Sequence, residues 1–164
     1  HADLSALRTP GVYRVNADGE SSVTFEIGEN VFRDCFDKCM KAFYFQRCGC
    51  ELTPEYAGPW THGKCHCGRA LLWENTSVKL EVSGGWHDAG DYGRYVTAAA
   101  TALAHLLYGW KLYPKVFRKQ DINIPGKPSE MPDVLIECRY ELEWLLKMQR
   151  YDGAVVALCH TAPS

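Results

Sequence analysis

Residues 83–95, "SGGWHDAGDYGRY", set two aspartates, Asp88 and Asp91, three positions apart among glycines and aromatic rings. So glycine-rich a stretch reads as a turn. The period changes straight after it: Val96, Ala99, Leu103, Leu106 and Trp110 fall at spacings of three and four, the stripe of an amphipathic helix with Gly109 near its end. Two carboxylates in such a turn suit three purposes. They could bind calcium, cap the following helix, or grip and deprotonate a water. Calcium lacks the further oxygen ligands of an EF-hand loop. Capping of a Tyr92–Gly109 helix by Asp91 would satisfy free N–H groups and oppose the dipole, a gain of ~1 kcal/mol. It leaves Trp86, Tyr92 and Tyr95 without a reason. Aromatic faces hold the apolar faces of sugar rings, and a carboxylate pair aimed at one water is what displacement at an anomeric carbon needs.

Working outward, Phe32, Cys35, Cys39, Ala42, Phe43 and Gln46 mark an earlier helix, with Asn30 as amino cap and Gly49 as stop. This spacing predicts a core position for Cys35 and Cys39. A third helix opens at Pro132-Asp133 and carries Leu135, Cys138, Leu142, Leu145 and Leu146, with Cys138 and Trp144 expected in the core. Long irregular stretches, 49–82 and 111–130, separate the helices, and loops of that length usually serve a site. Before the first helix, Val12–Val15 and Ser22–Ile27 alternate like strands around the turn residues Asp18-Gly19. An isolated two-stranded ribbon is marginal in water, so this hairpin is expected to belong to a larger sheet or to lie on the helical body.

Composition excludes several classes. The 164 residues are 46% hydrophobic and 23% charged with net charge −2, so no basic field recruits nucleic acid or an anionic membrane surface. No apolar run approaches the roughly 20 residues that span a bilayer. The chain begins at His1 without a signal-peptide pattern, as though cut from something longer. Eight cysteines are many for this length, and they cluster, which points to a metal site or a local disulfide. Cys48, Cys50, Cys65, His66, Cys67 and His87 supply zinc's preferred thiolates and imidazoles. They are too many for one tetrahedral ion, so some are spare; disulfides or packed thiols are the competing reading.

"GGWHDAGDYGRYV" (84–96) resembles the amino-terminal signature of glycoside hydrolase family 9, cellulases built on an (α/α)6 barrel. "KAFYFQRCGCEL" is similar to the exit of the family's first barrel helix, and "MPDVLIECRYELEWLLKMQRYDG" to the helix ending in its "LEWLLKMQ" segment. The opening residues resemble the last strands of the immunoglobulin-like module that precedes the barrel in many members. The resemblance therefore implies a mainly α chain, a partial (α/α)6 barrel over residues 30–164 preceded by a β-hairpin remnant of an immunoglobulin-like β-sandwich over residues 1–29.

It also implies chemistry. Asp91 corresponds to the family's general base and Asp88 to its partner in positioning the nucleophilic water, for inverting hydrolysis of β-1,4-glucosidic bonds in cellulose or a related β-glucan. Inversion needs base and acid about 6.5–9.5 Å apart, so these two aspartates, both on the water side, are not the acid–base pair. The family's proton donor is a glutamate far toward the carboxyl end; Glu137, Glu141 and Glu143 match no such role. Trp86, Tyr92, Tyr95 and Trp60 are the expected sugar contacts, with Arg94 either lining the cleft or forming a surface ion pair. Cys48, Cys65, His66 and His87 match the family's structural zinc ligands, leaving His62 beside the site and Cys50 and Cys67 spare or paired. Calcium sites lie elsewhere in the family. A secreted, extracellular monomer with no nucleic-acid or membrane partner is the expectation. After Gly153 the family runs on to a His-Lys pair, and "AVVALCHTAPS" departs from that. The alternative from another class is a non-catalytic, zinc-stabilised carbohydrate-binding or interaction module.

Overall fold

The computed structural model describes residues 3–126 and 130–160. The chain divides into two compact units, residues 1–38 and 39–164. In the first, β1 (Gly11–Tyr13), β2 (Asn16–Ala17), β3 (Glu20–Ser21) and β4 (Phe25–Ile27) form two short antiparallel ladders, β1 with β4 and β2 with β3. Asp18 and Gly19 turn the chain at φ 51° and 81°. Positive φ at both central residues matches the right-handed twist of the flanking strands, which is why Asp-Gly marks such turns.

Helix α1 (Arg33–Phe45) begins where the Arg33 amide donates to Asn30 O. Its buried residues are Met40 and Tyr44, not the cysteines: Cys35 and Cys39 are exposed. The covered stripe runs one position beyond the expected one, because Tyr44, wholly buried, and Met40 carry more apolar area than two thiols. The stretch expected to be irregular holds α2 (Pro54–Ala57) and a hairpin of β5 (Ala70–Leu72) with β6 (Asn75–Leu80). Pro54 opens α2 because a first-turn residue needs no donor N–H.

The remaining elements frame the aspartate turn. Strand β7 (Arg94–Tyr95) leads directly into α3 (Val96–Leu112), which buries Ala99, Leu103 and Leu106 as the period predicts. Helix α4 (Pro114–Arg118) occupies part of the second stretch expected to be irregular. Helix α5 (Asp133–Lys147) follows, and β8 (Leu158–Cys159) returns to pair with β7. The core joins Val82, Ala99, Trp144 and Met148, with Val96, Leu145 and Val156 packed against them. Cys138 and Trp144 are both buried, as expected. The α5 stripe is otherwise displaced: Leu142 and Leu146 face solvent, while Val134, Ile136, Glu137 and Glu141 are covered. This helix is apolar on more than one side, and period alone does not say which side is packed.

One close approach holds the turn to the core. Gly85 has φ 77°, and a Cβ there would lie 2.6 Å from the Trp144 ring. Gly85→Ala is therefore expected to destabilise the fold by about 2–4 kcal/mol, combining a left-handed backbone with overpacking. Chemical denaturation of parent and variant measures it, and a loss below half a kcal/mol counts against this packing account.

Candidate functional site

Residues 86–93 fold as a tight loop because their polar groups close on one another. The Asp88 amide donates to Gly93 O at 2.8 Å, and the Tyr92 amide donates to Ala89 O at 3.0 Å. Tyr92 adopts φ 57°, an uncommon conformation for a side chain of its size. Asp91 does not cap the helix. Its Oδ1 accepts from the Gly93 amide at 3.0 Å and its Oδ2 from the Tyr95 hydroxyl at 2.7 Å. The helix starts only at Val96, because Arg94 and Tyr95 are drawn into the ladder with Cys159 and Leu158.

These bonds, the Gly93 amide first and the Tyr95 hydroxyl next, hold the Asp91 carboxyl below its ordinary range. A third neighbour had no sequence signal: His160 Nε2 stands 3.4 Å from Asp91 Oδ2, delivered by the β7–β8 pairing. Asp88 and Asp91 are both exposed. Asp88 lines an open groove of about 190 Å³, together with Phe43, Gln46, Trp86, His87, Tyr95 and the α3 residues Ala98, Ala99 and Ala102. The groove has one aromatic wall, one carboxylate and a floor of small side chains.

The expected aromatic contacts separate. Trp86 and Tyr95 line the groove, and Trp86 packs on Phe43 with ring centroids 4.9 Å apart. Tyr92 instead stands edge-on to His87 at 5.1 Å and beside His66 at 6.1 Å. Trp60 is 74% exposed and is not part of the groove lining. Arg94 is neither a cleft residue nor a surface ion pair. It is buried, donating to the Val82 and Gly84 carbonyls and to Cys159 Sγ at 3.0 Å, and so ties the loop's approach to β8.

Behind the aspartates, the donor atoms of Cys48, Cys65, His66 and His87 all lie within 4.8 Å of one another. His87 Nδ1 pairs with Tyr92 O at 3.0 Å, which leaves Nε2 to face Cys65 Sγ at 3.6 Å. Tetrahedral zinc bonds of about 2.0–2.3 Å place neighbouring ligand atoms roughly 3.3–3.8 Å apart, so that separation fits. Burial lowers the His87 proton affinity, keeping the imidazole neutral as a ligand must be. The Cys48 thiol is pushed up to about 12 by burial, so only a bound cation would make it a thiolate near neutral pH. His66 Nδ1 is buried without a hydrogen-bond partner, and His66 is held at φ 49°. A buried imidazole nitrogen without a partner, on a residue whose ring meets two thiols and a second imidazole, is an arrangement that a cation resolves. His62 lies outside the group and bonds Gly63 O. No disulfide joins any cysteine; Cys67 Sγ donates to Cys65 O at 3.1 Å.

Two buried carboxylates on α5 lie beneath the loop. Glu137 pairs with Arg47, with Arg47 Nη2 2.8 Å from Oε2, and its Oε1 accepts from Trp86 Nε1 at 2.8 Å. Glu141 is wholly buried, and burial raises its pKa to about 8, with the Trp86 amide and Arg94 acting the other way. Its folded pKa exceeds the ordinary 4.5. The stability it contributes is therefore complete below about pH 4.5 and is lost as pH rises through about 8. Glu141→Gln should remove that loss, leaving the variant more stable than the parent above pH 8 by on the order of 1–4 kcal/mol. Urea melts at pH 6 and 9 check it, and an unchanged difference between the two pH values sinks it. Glu143, by contrast, lies on the surface, 3.6 Å from Arg139.

Comparison with known proteins shows the family. The family profile described as glycosyl hydrolase family 9 matches residues 32–162. A cellodextrinase of Butyrivibrio fibrisolvens is 42% identical over 156 residues, 94% of this chain and 28% of that protein. Endoglucanase D of Acetivibrio thermocellus is 35% identical, over 93% of this chain and 25% of its own. Among solved structures, a zinc-binding triple mutant of the family 9 endoglucanase J30 superposes with TM-score 0.85 at 37% identity, over 96% of this chain and 31% of that one. The endoglucanase AaCel9A, in complex with a cellobiose-like isofagomine, gives TM-score 0.87 at 34% identity, over 96% and 30%. The chain thus spans about a quarter to a third of the length of these relatives, and it belongs to glycosyl hydrolase family 9.

Proposed function

We propose that this chain carries the water-activating half of an inverting β-1,4-glucanase site. Asp91 is the general base, Asp88 shares in orienting the water, and a glucose ring of a cellulose-like β-glucan rests against Trp86 and Tyr95. The observation that carries this reading is the state of Asp91. It is exposed, held ionised by two donors, and bonded through Tyr95 to a groove that Asp88 also lines. A base must be charged and must reach water, and Asp91 is both. A general acid on the far face of the ring completes the reaction. The exposed α5 residues Glu143 and Arg139 lie off the groove, and the buried Glu137 and Glu141 cannot reach substrate.

On this reading residues 30–164 are the opening helices of an (α/α)6 barrel and residues 1–29 the end of an immunoglobulin-like module. The protein acts outside the cell as a monomer, and any calcium is bound elsewhere. No described helix is long and apolar enough to cross a membrane. Cys48, Cys65, His66 and His87 would hold a structural zinc. When bound, that ion would join the end of α1, the loop around residues 65–66 and the catalytic turn, while His87 hands its position directly to Asp88. The test is stereochemical. Proton NMR of the whole protein acting on a soluble cello-oligosaccharide should show the α-anomer accumulating first; early β-anomer rules out inversion.

A further inference from the structure

Glu137 sits on α5, a helix apart from the catalytic turn in sequence, yet its carboxylate is wholly buried against that turn. One oxygen accepts from the Trp86 indole at 2.8 Å, and both accept from the Arg47 guanidinium at 2.8–3.2 Å. The two donors already belong to one ladder. Arg47 and Trp86 form an antiparallel bridge, flanked by the Cys48 amide on Gly85 O at 2.7 Å and the His87 amide on Gln46 O at 2.8 Å. The backbone thus fixes where Trp86 starts. Packing confines its ring, which is 7% exposed and shows only a small part of itself to the groove, and within that space a hydrogen bond sets its final orientation. An indole has two soft torsions, and Phe43 supplies only a tilted contact at about 50°. The directional bond is the one to Glu137.

We infer that Glu137 is a positioning residue for substrate: by anchoring the Trp86 indole it holds the stacking wall of the groove in the orientation that receives a sugar ring. This rests on the sugar-binding reading of the groove. Arg47 holds the carboxylate in place through its three close contacts, compensating its burial. A charged acceptor makes the stronger bond to the indole N–H.

The experiment separates the anchor from the ion pair. Replacing both charges by apolar groups of similar volume, Glu137→Leu with Arg47→Met, is commonly neutral for folding, but leaves Trp86 without its acceptor. Glu137→Gln with Arg47→Met removes the same charges and keeps an acceptor oxygen. All variants are made in the whole protein and titrated with a cello-oligosaccharide in an Asp91→Asn background, so that binding is read without turnover. The Leu/Met pair should raise Kd about five- to tenfold, the effect of one aligned hydrogen bond. The Gln/Met pair should stay within about twofold of the parent, with zinc content unchanged in both. Equal Kd values in the two pairs, whether both parental or both weakened, overturn the proposal. If either pair fails to fold, the single variants Glu137→Gln, which keeps an acceptor for the indole N–H, and Glu137→Met, which does not, decide with Trp86 intact. A Kd raised only in Glu137→Met supports the anchor, and equal Kd values overturn it. Failure of the water-activation reading is distinct: it appears as turnover surviving in Asp91→Asn, whatever Kd does.

Discussion

Asp91→Asn, made in the whole protein, is expected to lower kcat on soluble cellulose derivatives by about 10²–10⁴-fold, the usual contribution of a positioned base. KM should change little, because the amide keeps the shape: its oxygen still accepts from the Gly93 amide, and its NH2 can donate to the Tyr95 hydroxyl oxygen. Full activity in this variant would remove Asp91 from the role of base, whereas a non-catalytic carbohydrate-binding module would show no turnover in parent or variant. The pH profile carries the sign. Asp91's proton affinity is lowered, by the Gly93 amide first and the Tyr95 hydroxyl second. The base is therefore ionised throughout the neutral range, and its acid limb falls below the ordinary carboxylate range. Tyr95→Phe deletes the second donor and should move that limb upward. A limb that stays in place would mean that Tyr95 orients sugar without tuning the base.

Removal of metal is the second large effect. Cys48→Ser, or dialysis of the parent against a chelator, should abolish stoichiometric zinc and destabilise the fold by several kcal/mol, since binding energy at a structural site is folding energy. Four donors drawn from three separate stretches meet within 4.8 Å, and two of the carrying residues, Cys48 and His87, are buried. Without the ion, the buried His66 Nδ1 is left without a hydrogen-bond partner. Calorimetry with elemental analysis checks this. Chelation with no shift in the melting temperature would show that the cluster is not a zinc site. The aspartate turn should respond directly, because His87 adjoins Asp88.

Much of this was legible along the chain. The stripe Ala99, Leu103 and Leu106 is buried as its period indicates, and the Asp18-Gly19 turn closes the hairpin where expected. Cysteine and histidine types are informative because few other side chains bind zinc: they marked six candidates, and the resemblance to the family narrowed these to the four whose donor atoms lie within 4.8 Å of one another. The failures share a cause. Cys35, Cys39, Leu142 and Leu146 lie on apolar stripes that are not the covered ones. A helical period shows that a face is apolar, but covering it depends on what else packs there. Arg94 read as a cleft or surface residue because arginine usually keeps its charge in water, and here acceptors from two separate stretches, Val82–Gly84 and Cys159, enclose it.

By itself, the order of residues determined the local chemistry: two carboxylates held three apart by a glycine-rich turn, and an apolar helical stripe following it. Such features depend on neighbours within a few positions, where backbone torsions and side-chain types decide. Only the tertiary structure decided that Glu137 and Arg47 clamp Trp86, that His160 reaches Asp91, and that Tyr92 turns to the imidazoles instead of the groove. Those contacts join residues up to 90 positions apart, and a pair so separated leaves no period or spacing in the chain, because it exists only once packing has brought the helices together.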